Sequence, residues 1–351
     1  MNSNLGSQES WERALSISGK IGTIPGLFSS TIRTLQLDQS KGGTLSPGGR
    51  HGIKTLFKGP SMKSAVYHAA LTYRPEKLEQ DTFQRASNLI KVFNPEELAT
   101  IIAILFAYKK ISRICQKYDL VWQERYKEMC RDIDLGALIG EALPKIGLSW
   151  GMLIPCINHM SLALMLDADQ KALREYKLHL KNQNIFSDPE KEFELFGCTH
   201  GQVCSSLVQK LCVGTEISEA MLQGFQVGYR EKQLSNLNEL KVQVCKIWID
   251  EFVSTCNIPD MPHRGEFYPK TDALNKLLPL AKEIAKNGST HYWLSKTAEN
   301  INPESHPMLF LKGELTKSGE GIDIMATDDI SEEKIEELEQ EVDSSEEDSA
   351  E

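Results

Sequence analysis

From about residue 76 to 256, apolar residues recur every three or four positions, which is the spacing of one face of an α-helix. Asn94-Pro95-Glu96-Glu97 supplies an N-cap residue, a proline suited to the first helical position and a capping-box glutamate. Leu98, Ile101, Ile102, Leu105 and Phe106 follow at helical spacing. Trp122, Tyr126 and Met129 make the next stripe; Leu135, Leu138, Ile139 and Leu143 make another, stopped by Pro144. Trp150–Leu166 reads as a core helix that contains Pro155, Asn158 and His159. Asp188-Pro189-Glu190 opens a helix expected to run through Leu195, Phe196, Val203, Leu207 and Leu211. Ile217, Met221 and Phe225 repeat the spacing, and Ser235–Cys256 sets Leu237, Leu240, Val244, Trp248 and Phe252 on one face. Lys270–Asn287 reads as a helix closed by Gly288, and Thr290–Asn300 as another. Strand-like alternation is nearly absent, so the expected class is all-α, a multi-helix bundle.

Composition adds boundaries. Residues 1–60 are rich in Gly and Ser, and Lys41–Arg50, with four glycines and a proline, is expected to be loop or turn. It lacks the Gly-Lys-Ser/Thr ending of a phosphate loop. The organisation that follows is an N-terminal segment 1–60, a helical domain 61–256, a helical extension 257–327 and a tail 328–351. That tail holds thirteen acidic residues and one lysine, a charge of −12 out of −10 for the whole chain, so the rest is close to neutral. A near-neutral body gives no reason to expect a nucleic-acid binder driven by overall charge. Within the tail, Ser331–Glu341 has the pattern of a short amphipathic helix with Ile335 and Leu338 on one side, and Val342–Glu351 that of disorder. The tail either binds a basic partner or confers solubility. The N-terminus has no basic start and no apolar run, so no signal peptide is expected there. The eight cysteines form no CxxC pair, which suits a reducing cytosol, and no membrane span is expected.

The richest stretch is 192–207, with Glu192, Glu194, Gly197, Cys198, Thr199, His200, Val203, Cys204 and Leu207. Read as one helix, it puts Gly197, His200 and Cys204 on a shared face, with the glycine admitting a neighbouring helix. His200 in that setting is a buried histidine bonded to a carboxylate or carbonyl, ahead of a ligand or base. Cys198, His200 and Cys204 raise a zinc site, against which stands the absence of four ligands in recognisable pairs. Glu192 and Glu194 diverge on a helix and read as a solvated face or a helix N-terminal charge effect. His159 reads as a satisfied core or interface group, Trp122 and Trp248 as core, and Lys109, Lys110, Arg113 and Lys117 as a solvated face by default, with binding of an anion or of the acidic tail as the alternative.

The same stretch resembles the HDOD family, the HD-related output domain of bacterial signalling proteins, whose pattern it matches at Glu192, Glu194, Gly197, Thr199, His200, Val203 and Leu207. A turn at Leu211–Gly214 and then Glu216, Ile217, Glu219, Ala220 and Met221 extend the likeness, and Trp122 and Gly151-Met152-Leu153 resemble two upstream landmarks. The resemblance covers roughly 60–255. It implies a helical fold related to the HD phosphohydrolases, in which histidines and aspartates hold metal. Here the corresponding positions are Glu124, Ile154 and Pro155, and aliphatic side chains cannot ligate a cation. The resemblance therefore implies a cytoplasmic regulatory protein without catalysis or cofactor, acting by binding a protein or small ligand. Two alternatives stand beside it. One is a residual metal-dependent phosphohydrolase of nucleotides or cyclic dinucleotides using His159, His179 or His200; the other is an interaction scaffold working through its tail.

Overall fold

The structure, a computed structural model, describes residues 6–78, 86–226, 236–260 and 267–296. Among the described residues every regular element is a helix, as the apolar spacing predicts. By their contacts the helices form two units. One runs from the N-terminus to Gly22 and from Lys110 to Thr290; the other comprises Thr23–Lys109 and the residues from His291 on. The compositional breaks expected at 60 and 256 do not coincide with this division.

Helix α1 (Gln8–Gly19) belongs to the first unit, and the chain then crosses into the second. There α2 (Gly26–Ser40) packs on α3 (Pro47–Leu56). The glycine-rich stretch expected to be loop is thus half helix, because Ser46 caps α3, Pro47 occupies its first turn, and the glycines face α2. A methyl group on Gly49 would stand 2.4 Å from the Asp38 carboxylate, and one on Gly52 would stand 2.5 Å from the Thr31 hydroxyl. These glycines serve close packing rather than a flexible turn. After α4 (Pro60–Tyr73) and the single turns α5 (Pro75–Leu78) and α6 (Ala86–Leu89) comes α7 (Pro95–Cys115). Its expected capping box is present. The Asn94 side-chain oxygen accepts from the Glu97 backbone N–H at 2.8 Å, and the Glu97 carboxylate accepts from the Asn94 N–H at 2.9 Å.

The rest of the first unit is α8 (Asp119–Ala142), α9 (Gly147–Ala168), α10 (Gln170–Gln183), α11 (Pro189–Phe196), α12 (His200–Lys210), α13 (Thr215–Gln226), α14 (Leu237–Thr255) and α15 (Thr271–Asn287). The two stripes at Trp122–Met129 and Leu135–Leu143 belong to one helix, α8. It lies against α9 with glycines in register. A methyl on Gly136 would stand 2.0 Å from the Gly151 carbonyl oxygen, one on Gly151 would stand 2.1 Å from the Gly136 carbonyl, and one on Gly140 would stand 2.2 Å from that of Gly147. Backbone therefore meets backbone along this seam. Pro155, inside α9, has no N–H to donate to the Gly151 carbonyl, which leaves that oxygen turned to the Gly136 methylene. Helix α9 is the one described helix long and apolar enough to cross a membrane, and 89% of its apolar window is buried within the fold.

The helix expected to run unbroken through 190–211 is two helices. α11 ends at Gly197, which caps it with φ 73°, and Thr199 opens α12 with a full capping box to Gln202. Of the expected helix Thr290–Asn300, Trp293–Ser295 forms a 3₁₀ turn. Residues 290–292 and 296 are irregular, so the expected helix does not form there; residues 297–300, the Ser331–Glu341 pattern and the acidic tail lie outside the described residues.

Candidate functional site

The close α8–α9 seam positions the site. One turn before Gly136, Asp132 points at α9, where His159 stands two turns beyond Gly151. The His159 Nε2 lies 2.7 Å from an Asp132 carboxylate oxygen, and both residues are buried. Arg125, two turns before Asp132 on the same face of α8, places its guanidinium 3.3 Å from His159 Nδ1. A guanidinium only donates, so Nδ1 accepts from Arg125 and Nε2 carries the hydrogen given to Asp132. Burial pushes Asp132 up, but the hydrogen bond from His159 and the Arg131 guanidinium beside it outweigh that and hold the carboxyl below its ordinary value. Arg131 pairs with the same carboxylate at 2.8 Å, and Arg125 with Glu128 at 3.1 Å. From α14, Lys246 pairs with Asp250 at 2.6 Å. Burial raises the Asp250 carboxyl, and the charge of Asp132 adds to the rise.

The residues of the 192–207 stretch gather beside this group. His200 is the first residue of α12 and is buried. Its Nε2 donates to the Asn158 carbonyl of α9 at 3.2 Å, and the Cys204 Sγ lies 3.3 Å from the same nitrogen. The Phe225 ring of α13 packs edge-on, centroids 5.3 Å apart. Burial pushes His200 down to about 4, with the charges of Lys246 and Arg125 adding to the drop. The ring is therefore neutral, and it ties α12 to α9 through a backbone carbonyl, as expected of a buried histidine.

Glu192 departs from expectation. Instead of facing solvent it is buried, and it accepts from the Tyr176 hydroxyl at 2.5 Å and from the His200 backbone N–H at 2.7 Å. Burial lifts it to about 7 against the pull of those two hydrogen bonds. Tyr176 in turn accepts from the Asp188 N–H at 3.1 Å, and Asp188 pairs with His179 at 2.8 Å. One chain of bonds thus links half-buried His179 to the start of α12. Glu194 does lie exposed, in an ion pair with Lys191 at 2.9 Å. Thr199 is the α12 cap, and Val203 and Leu207 are buried core. Gly197 admits no neighbouring helix; a methyl there would meet only the Arg13 side chain, at an ordinary 3.6 Å.

Of the positions aligned with HD metal ligands, Ile154 and Pro155 are buried and Glu124 is exposed at the surface of α8, so the structure does not bring these three together as a site. Among the described residues no group of three or more His, Cys, Asp or Glu side chains is placed to hold a metal ion. Trp122 and Trp248 are buried. The residues that sequence reasoning missed are Arg125, Asp132, Tyr176, Lys246 and Asp250. A signal existed for two of them. Trp122, Arg125, Met129, Asp132, Gly136 and Gly140 share one face of α8, and opposite charges on an otherwise apolar and glycine face mark a buried pair.

Compared with family models, curated proteins and solved structures, the chain matches none.

Proposed function

We propose that this chain is a cytoplasmic regulatory module of HDOD type, which acts by binding a protein or small ligand and not by turning over a substrate. The observation that carries the reading is the bracketing of His159. Both ring nitrogens are engaged, one by the Asp132 carboxylate and one by the Arg125 guanidinium. A fixed cation thus stands where a histidine–aspartate pair would otherwise present a lone pair to a metal, and Lys246 likewise takes up Asp250. The motif residues Glu192 and His200 hold α10, α11, α12 and α9 together through hydrogen bonds, and Thr199 caps α12, which supports a rigid binding scaffold. Six buried thiols with no disulfide among the described residues suit a reducing compartment.

Metal analysis of the purified full chain tests this. The expected result is less than a tenth of an equivalent of Mn, Fe or Zn, with no hydrolysis of a nucleotide or cyclic dinucleotide when Mn²⁺ is added. Stoichiometric metal that disappears in Asp132→Ala or His159→Ala, together with hydrolysis, would overturn the reading in favour of a residual phosphohydrolase.

A further inference from the structure

Helix α10 turns one face to solvent that is neither wholly charged nor wholly apolar. Lys171, Arg174, Leu178 and Lys181 follow at spacings of three or four and so lie along one line of the helix, and Ile185 follows the left-handed cap Asn184 that ends it. All five are exposed, Leu178 by 58%, and Phe186 beside them is 44% exposed. Lys171, Arg174 and Lys181 have no ion-pair partner among the described residues. Ten residues separate Lys171 from Lys181, about 15 Å along a helix. A row of unpaired cations with large apolar side chains between them is a surface that water solvates poorly at its centre and a negative partner neutralises at its edges.

We propose that this face of α10, with Ile185 and Phe186, docks an acidic amphipathic helix of a partner protein. Such a helix sets Leu or Ile side chains against Leu178, Ile185 and Phe186 and carboxylates against the three cations, the geometry of helix-in-face recognition. An anionic membrane fits less well, because the adjoining Glu175, Glu190 and Glu194 are also exposed and would meet its surface, whereas a single helix is narrow enough to follow the basic row. The proposal rests on the binding-module reading and names the class of its partner.

The test uses the full chain and fluorescein-labelled synthetic 20-residue peptides followed by anisotropy. One peptide is an acidic amphipathic helix of Glu and Leu at helical spacing; a second has the same composition in scrambled order. The expected result is that the amphipathic peptide binds at least tenfold more tightly than the scrambled one. Arg174→Glu with Lys181→Glu, and separately Leu178→Ser, should each weaken it at least tenfold, with circular dichroism and Tm unchanged. Equal binding of the two peptides, or of the charge-reversed variant and the native chain, overturns the proposal. So does tighter binding to phosphatidylserine vesicles than to the peptide. A tenfold gain in peptide affinity on deleting 328–351 would assign the face to the chain's own acidic tail and overturn the external partner. Metal content and hydrolysis are not read here, so failure of this test leaves the metal assay to decide the wider reading.

Discussion

At the scale of single residues, Gly197 shows how one motif supports two different physical arguments. With φ 73° it occupies the left-handed region as the cap of α11, where an L-residue strains the backbone whatever space surrounds it. Gly197→Ala is expected to cost about 1–2 kcal/mol in urea unfolding, Gly197→Leu about the same, and Gly197→Asn less. A leucine variant several-fold worse than alanine would point instead to an overpacked helix contact. Glu192 and His200 make a second residue-scale case, since burial perturbs them in opposite senses. Glu192 rises from 4.5 to about 7, so its contribution to stability is complete below 4.5 and is lost as pH climbs to 7. His200 falls from 6.5 to about 4, so its contribution is complete above 6.5 and is lost as pH drops to 4. Each amounts to about 3 kcal/mol, and between pH 4.5 and 6.5 the two offset one another. Glu192→Gln should therefore make stability rise with pH over that window relative to the native chain. His200→Asn should make it fall from 4.5 to 7. Parallel slopes in the two variants, measured by urea unfolding across pH, would contradict this account.

At the scale of elements, the α8–α9 seam governs the site because Asp132 and His159 meet only where the backbones nearly touch. Replacing glycine by alanine inside a helix ordinarily stabilises it by about 1 kcal/mol. At Gly136 and Gly151 the sign should reverse, to a loss of about 1–3 kcal/mol or more, since the new methyl meets carbonyl oxygen that no rotamer change can move. Unfolding midpoints for Gly136→Ala and Gly151→Ala check this; unchanged or raised midpoints would mean the helices stand further apart. Helix positions were largely legible in the sequence because helical burial leaves a periodic trace. The capping box at Asn94 and Glu97, the closure of α15 at Gly288 and the stripes of α13 and α14 were all readable. Breaks between helices were not. The apolar spacing continues across Gly197, and what divides α11 from α12 is the left-handed backbone there and the short Thr199–Gln202 capping box just after it. The seam was hidden for a related reason: a glycine that lowers helix propensity looks the same whether it bends a chain or admits a neighbour, as Gly49 and Gly52 also show. Of the site, the 192–207 stretch and His159 were visible as residues. Asp132 and Arg125 left only a trace, as opposite charges on the glycine face of α8, and Tyr176 left none, because a single sequence does not pair residues of different helices.

At the scale of the whole molecule, the eight cysteines report on the fold together. Six are buried and two, Cys212 and Cys256, are half-exposed, both with positive φ in the turns that end α12 and α14. Burial pushes Cys115, Cys130 and Cys198 each up to about 12 and carries Cys156, Cys204 and Cys245 well above the ordinary thiol range. Since the thiolate is the reacting species, the six interior cysteines react only when the surrounding helices open. Treatment of the native chain with an aromatic disulfide reagent at pH 8 should release about two equivalents of thiolate chromophore quickly and the remaining six slowly. All eight should react at once in guanidinium. The slow phase should accelerate in Gly136→Ala, where the seam is weakened, while the fast phase stays the same. That pairing matters because Cys204 touches His200 and Cys198 lies two residues before it. If these two reacted in the fast phase, or if Zn²⁺ slowed them specifically, the 192–207 stretch would be an open ligand site. The closed joint between helices described above, on which the binding-module reading depends, would then be wrong.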